Sequence, residues 1–309
     1  MKLWLPSVEV DLGQCTSMGV GGTGTAYLPS SEEEFRDVLV GLKTTGLSPF
    51  ILGGGYNTVF PDGEFHRPIV LTSKLNQYTF QGTTVRAKAG VRLDGLIRMS
   101  VAAGLGGLEM FLGVPGTVGG AVAMNAGGSG HEFGGLVRKL TVIDPANGEI
   151  FDLDHDEVRW SYRRASLDGL VVAAAELELE PGDPRELRKR SLDFLKRKAA
   201  EQPLNSRSSG CAFKNPPGRS AGYLIDKSGL KGARVGHAVV SQRHANFICN
   251  EGGAASTSDI LGLVEHVRST VRERCGVQLE LEIVMASDSD NNGAGVDGDD
   301  TVWGSRESA

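Results

Sequence analysis

Gly113-Val114-Pro115-Gly116-Thr117-Val118-Gly119-Gly120-Ala121-Val122-Ala123-Met124-Asn125-Ala126-Gly127 is the stretch on which the reading of this chain turns. Five of its fifteen residues are glycine and most of the others are small, so main chain rather than side chains faces whatever lies against it. Such a run suits a bulky planar ligand laid on backbone. It belongs to a longer segment, residues 104–135, whose 12 glycines exclude ordinary helix or strand throughout. A second cluster, Gly53-Gly54-Gly55-Tyr56-Asn57-Thr58, directly follows a buried-strand pattern at Pro49-Phe50-Ile51-Leu52. Three successive glycines let backbone N–H groups converge on an anion such as a pyrophosphate; taken alone, the same triplet also reads as a tight structural turn. No Lys-Ser/Thr pair follows it, so it is not a triphosphate-binding loop. Gly19-Val20-Gly21-Gly22-Thr23-Gly24 matches G-x-G-x-x-G, but no buried strand leads into it. Pro29 also interrupts the place of the required helix, so a dinucleotide fingerprint is rejected there.

The 309 residues amount to roughly two domains. Hydrophobic residues at 40% and charged residues at 23% are those of a globular chain, which excludes a fibrous or wholly disordered one. The 43 glycines are about twice the usual share. Net charge is -6, and residues 287–309 hold six acids against Arg306 alone, which accounts for five of those charges. No footprint for nucleic acid is present, while the nearly neutral remainder leaves small anionic ligands admissible. Four widely spaced cysteines without a C-x-x-C pair fit reduced thiols in a cytosolic protein, with no disulfide framework and no metal site expected. Met1 to Pro6 is too short for a signal-peptide core. No apolar run approaches the ~20 residues of a membrane span. A cytoplasmic protein is expected, without a membrane partner. The sequence leaves the oligomeric state open and is compatible with a monomer.

Ser31-Glu32-Glu33-Glu34 is a capping box that predicts a helix through Phe35, Val38, Leu39 and Leu42. Tyr78 to Ala89 reads as strand and Leu93 to Ala103 as helix. Strands are expected at 140–143, 149–153 and 170–179. Asp183-Pro184 starts a helix that runs to about Gln202, and its seven bases between Arg185 and Lys198 read as a solvated face. Ile260, Val264, Val267, Val271 and Cys275 form a helical stripe closed by Gly276. The expected division is a small α/β unit at 1–73, a second unit at 74–200, a third at 201–286 and a disordered acidic tail at 287–309.

Taken in order, GGG-x-N-T and V-P-G-T-V-G-G-A-x-x-M-N-A-G resemble the flavin-binding segments of the UDP-N-acetylenolpyruvoylglucosamine reductase (MurB) family. Ser161-Tyr162-Arg163, Gly210-Cys211-Ala212-Phe213-Lys214-Asn215-Pro216, Leu224 to Gly232, Ser241 to Phe247 and Leu279 to Ile283 continue the likeness. It spans about residues 10–286. The resemblance implies an α+β chain with an FAD-binding fold of the vanillyl-alcohol-oxidase (PCMH) type and a C-terminal α+β substrate-binding domain. It also implies the reaction, in which NADPH reduces FAD and the flavin reduces the enolpyruvyl UDP-sugar to UDP-N-acetylmuramate for peptidoglycan. Only 48 positions separate Arg163 from Cys211, as in the family's more compact subtype.

By this resemblance the cofactor contacts are Gly53, Gly54, Gly55, Tyr56, Asn57, Thr58, Val114, Pro115, Gly116, Thr117, Gly119, Gly120, Ala121 and Asn125. The catalytic residues are Arg163, Cys211 and Glu282, and the substrate contacts are Tyr162, Lys214, Asn215, His244 and Asn246. The chemistry fits these types. An enolate forming beside a carboxylate needs fixed positive charge, which Arg163 offers as a two-pronged fork. Glu282, if buried, gains a raised pKa and becomes a donor. Cys211 stands where the family usually has serine, and a thiol mostly protonated at pH 7 is a stronger acid than an alcohol. The same thiol is expected to add sensitivity to oxidation and alkylation. Tyr56 replaces a common serine and Ala165 another, and neither change removes a charge the reaction needs. A flavin- or sugar-nucleotide-binding paralogue without activity, or an oxidase of the same fold, are the competing readings; Arg163, Glu282 and the acidic hydrogen at 211 weigh against the first, the F-K-N-P and H-A-N-F segments against the second.

Overall fold

Ser31 opens α1 (Glu32–Thr44) as its capping signal predicts: its hydroxyl accepts the Glu34 N–H at 3.1 Å, and the Glu34 carboxylate reaches back to Ser30. Phe35, Val38, Leu39 and Leu42 enter a core shared with Val70 on one side and Ile143 and Ala173 on the other, so this one helix ties two sheets together. The computed structural model describes residues 6–289.

The first sheet is drawn from β1 (Val8–Asp11), β2 (Thr23–Tyr27), β3 (Phe50–Leu52) and β5 (Glu64–Leu71), while the short β4 (Thr58–Val59) leaves it for another partner. Its order is β1-β2-β5-β3, with β2 and β3 parallel to β5. Gly22, in the rejected fingerprint, abuts Gly63, where an added Cβ would fall 1.6 Å from the Gly63 carbonyl oxygen. That glycine serves backbone packing at the start of β2.

The second sheet is antiparallel and five-stranded, in the order 150–154, 137–143, 171–178, β7 (Thr84–Lys88), β6 (Tyr78–Gln81). The single strand expected over 78–89 is a hairpin, because Gly82 turns the chain at φ +60°. Helices α2 (Leu93–Ala102), α3 (Val118–Ala123) and α4 (Pro184–Glu201) contribute Leu96, Val122 and Leu187 to its core. The third sheet joins 208–211, 247–250, 238–240 and 234–235. Against it lie α5 (Ala221–Lys227) and α6 (Thr257–Cys275). Ile260, Val264, Val267 and Val271 of the predicted stripe are all buried, and Gly276 closes α6 at φ +66°.

The chain then returns. Val284–Met285 runs parallel to β4, which places the segment before it beside the first glycine cluster. Asp288 accepts the His66 and Arg67 N–H groups at 2.9 and 3.1 Å. Residues 287–289 of the expected tail are thus held against β5, and the remainder lies outside the described residues.

Candidate active site

The two glycine segments, far apart in sequence, touch. A Cβ on Gly53 would stand 2.6 Å from Thr117 Oγ1, and one on Gly54 would stand 3.6 Å from the Gly116 Cα. Gly55, at φ +66°, passes so close to Cys15 that a Cβ would fall 2.0 Å from its carbonyl oxygen. Among the described residues, the backbone N–H groups of Gly54, Gly55 and Tyr56 meet no protein acceptor. Across from them Gly116 takes φ +143°, with open space where a side chain would be. Thr117 is buried and caps α3, Gly119 packs on Ala89, and Ala121 is buried. Val114 is half-buried, and Pro115 and Gly120 are exposed. Unpartnered donors on one loop facing open backbone on the other fit a cofactor that carries a diphosphate and a flat ring.

Two residues expected at the cofactor also bond within the protein. Asn125 is fully buried, and its amide accepts from Gly134 N–H and donates to Glu132 and the Ser161 carbonyl. With both ends of the amide used, its side chain fixes the glycine loop to the 159–166 hairpin. Asn57 donates to the Glu282 carbonyl at 3.0 Å, and the Val284 N–H donates to the Asn57 carbonyl. Asn57 therefore clamps the returning chain to the phosphate loop. Tyr56 lies over Gly54, beside Arg92, and Thr58 is buried in β4.

Arg163 occupies the tip of a two-residue hairpin turn between 159–161 and 164–166. Its backbone is left-handed at φ +59°, a conformation that costs an arginine about 1–2 kcal/mol. Such strain at a charged residue marks a placement that the surroundings enforce. Gly127 makes room for it: a Cβ there would meet Arg163 Nη1 at 2.4 Å. The guanidinium lies over the Tyr162 ring at 5.2 Å and pairs through Nε with Glu282 Oε1 at 2.6 Å. Both partners are well buried, at 21% and 12% side-chain exposure. Burial raises the Glu282 pKa above the usual carboxylate range, and Arg163 pulls it partly back.

Cys211 ends the strand 208–211, next to Gly210 at φ +77°. Burial pushes its thiol up to about 12; the Glu282 charge adds to the shift, and Arg163 and Lys198 oppose it. The shift favours the protonated thiol. Against the expected added sensitivity to oxidation or alkylation, burial lowers the thiolate share that those reactions need. At pH 7.5, labelling of Cys211 by iodoacetamide, followed by peptide mass spectrometry, is expected to run at least about a hundredfold slower than for free cysteine.

The substrate residues divide. Tyr162 is 46% exposed, and its hydroxyl accepts the Asn215 N–H at 3.5 Å. Lys214 reaches the site rim and pairs with Glu280. Asn215 accepts the Ala221 N–H and so shapes the start of α5. Asn246 is buried, accepting from the Phe213 N–H and donating to the Phe213 carbonyl. Both ends of the Asn246 amide are thus held by backbone, while Asn215 is exposed and only its Oδ1 is engaged. His244 is half-buried with its pKa lowered by desolvation, and it packs edge-on against Phe247. Sequence reasoning missed Lys198, which leaves the expected solvated face of α4 and turns towards Cys211 and Arg163. Its signal was there: Leu187, Ser191, Leu195 and Lys198 form one helical stripe, and the first two are buried.

Residues 202–286 match the family described as UDP-N-acetylenolpyruvoylglucosamine reductase, C-terminal domain, and residues 25–154 match an FAD binding domain. A UDP-N-acetylenolpyruvoylglucosamine reductase of Clostridium novyi is 38% identical over 90% of this chain and 91% of its own length. The chain belongs to the UDP-N-acetylenolpyruvoylglucosamine reductase family. Another of these reductases, from Moorella thermoacetica, is 40% identical over 88% of this chain and 90% of its own. The solved reductase (MurB) of Thermus caldophilus superposes with a TM-score of 0.80 at 33% identity, over 91% of this chain and 99% of that one. As a reductase of this family, the chain has the FAD-binding fold expected from its motifs, followed by the family's α+β C-terminal domain, and FAD is its cofactor.

Proposed function

We propose that the chain is the NADPH-dependent, FAD-containing reductase that converts enolpyruvyl-UDP-N-acetylglucosamine to UDP-N-acetylmuramate in peptidoglycan synthesis, acting in the cytoplasm. Units 1–73 and 74–200 hold the cofactor, and unit 201–286 holds the substrate. One observation carries the reading. Three distant segments bring a buried guanidinium, a buried carboxyl group and a thiol together, next to the glycine loops.

When bound and reduced by NADPH, FAD would supply the hydride that the vinyl carbon remote from the carboxylate receives. The protein must then hold the substrate and manage charge. Gly53 to Thr58 would hold the diphosphate of the cofactor, and the loop at 114–121 its flat ring. Arg163 binds the substrate carboxylate in a fork and stabilises the charge that spreads into it as the adjacent carbon becomes carbanionic. Two carboxyl groups then share one guanidinium, and the buried Glu282 is the one that takes a proton. In that form it donates a hydrogen bond instead of repelling the enolate. The Cys211 thiol delivers the proton that completes the reduction. Tyr162, Lys214 and His244 line the approach for the sugar nucleotide.

Because the Glu282 pKa is raised, its proton-bearing form persists at low pH and is lost as pH rises through that value. Glu282→Gln keeps a donor that does not titrate, so its pH–kcat profile is expected to lose this limb while the rate stays within about tenfold. Glu282→Leu, without a donor, is expected to lose about a hundredfold or more. The reading as a whole is tested on purified protein. A flavin spectrum should be present, bleach with NADPH and return on addition of the enolpyruvyl sugar nucleotide. A folded protein that stays colourless with added FAD would overturn it.

A further inference from the structure

Lys198 lies in the last turn of α4, half-buried. Its stem passes Gly113, where a Cβ would come within 3.3 Å of Lys198 Cδ and 2.9 Å of Leu195 Cδ1. The absence of a side chain at the head of the glycine loop thus makes the space this lysine fills. Its electrostatic neighbours are Cys211, on the strand 208–211, and Arg163, at the hairpin tip.

Three neighbouring cations have carboxylate partners. Arg163 pairs with Glu282, Lys214 with Glu280, and Arg190, two turns earlier on α4, with the buried Glu109. Arg243 donates to the Ala199 carbonyl beside Lys198. Among the described residues, no carboxylate comes within ion-pair distance of Lys198. Three cations (Arg163, Lys198 and Lys214) therefore face two carboxylates (Glu282 and Glu280), and protonation of Glu282 widens the surplus. A buried ammonium near a guanidinium with no anion between them is unfavourable. Burial accordingly lowers the Lys198 pKa to about 8. The site lacks one negative charge, at the place where Lys198, Arg163 and Cys211 converge.

We propose that Lys198 is a further substrate-binding residue whose ammonium pairs, together with Arg163, with the carboxylate of the bound enolpyruvyl group. This rests on the function proposed above. The lysine selects for the carboxylate-bearing nucleotide over the same sugar nucleotide without it.

The test titrates oxidised holoenzyme with the enolpyruvyl sugar nucleotide and, separately, with UDP-N-acetylglucosamine, which has no carboxylate. Binding is followed by the change in flavin absorbance and by calorimetry between pH 6.5 and 9.5. At pH 7, Lys198→Met is expected to weaken the enolpyruvyl ligand roughly ten- to hundredfold, as for a lost charge-assisted bond, and to leave UDP-N-acetylglucosamine within about twofold. Wild-type affinity for the enolpyruvyl ligand should fall above pH 8, by up to about tenfold per pH unit. Lys198→Arg, charged throughout, should bind without that fall. This second variant also reports if Lys198→Met fails to fold. Equal weakening of both ligands would assign the lysine to the diphosphate, and unchanged binding would leave it a structural role; either overturns the proposal. An alkaline fall that persists in Lys198→Arg also overturns it, since another group would then be its source. A wild-type holoenzyme that binds no enolpyruvyl ligand removes the functional reading itself, an outcome distinct from wild-type binding that the variants do not alter.

Discussion

Cys211→Ala is expected to lower turnover of the enolpyruvyl sugar nucleotide by about a hundredfold to ten-thousandfold, the range over which a positioned general acid acts. Bleaching of the bound FAD by NADPH should continue at its normal rate, because no proton from position 211 is needed for that half-reaction. Stopped-flow spectroscopy separates the two: bleaching remains fast, and only the return of colour with substrate is slow. Loss of both phases together would count against the assigned role. Cys211→Ser is the control. It restores an O–H donor at nearly the same volume, and turnover within about tenfold of wild type is expected. The same raised pKa that blocks thiolate chemistry keeps the proton on sulfur over the whole physiological range, so the wild-type rate should show no acid–base limb from this group below about pH 11.

Arg163→Met has the second large effect. Removing one partner of a buried ion pair leaves the other uncompensated, at a cost of about 3–5 kcal/mol. Here the abandoned partner is Glu282, at 12% exposure, which then takes up a proton and no longer titrates near its wild-type position. The substrate carboxylate loses its fork in the ground state and the enolate loses it in the transition state. KM should therefore rise and kcat fall, with kcat/KM down roughly a thousandfold. Arg163→Lys keeps a charge without the planar fork and should recover only part of that loss. A variant whose kcat/KM stays within tenfold of wild type would remove Arg163 from the chemistry.

The architecture was legible in sequence wherever local rules decide it. The Ser31 cap, the α6 stripe ending at Gly276, and the strand before Gly53 all depend on neighbours within a few residues. The ordered motifs also brought Arg163, Cys211 and Glu282 forward before any coordinates. What remained hidden is what tertiary contact decides. Asn125 and Asn246 sit in motifs that suggest ligand contact, yet their amides face backbone that comes from 9 to 36 residues away. Lys198 looked like one more base on a charged helix, because no periodicity reports that a glycine at position 113 opens a slot for it. The 78–89 strand split because Gly82, a single residue with φ +60°, outweighs a β-rich pattern. The parallel pairing of Val284–Met285 with Thr58–Val59 spans the length of the fold, and no local pattern announces it.

That last pairing has a bearing on how the molecule behaves as a machine. The loop proposed to hold the cofactor diphosphate and the stretch that carries Glu282 are joined by β4 and the Asn57 amide. Anything that disturbs the first displaces the second by the same movement. Loss of the flavin is therefore expected to weaken binding of the sugar nucleotide as well, which calorimetry on the flavin-free and flavin-loaded protein would measure.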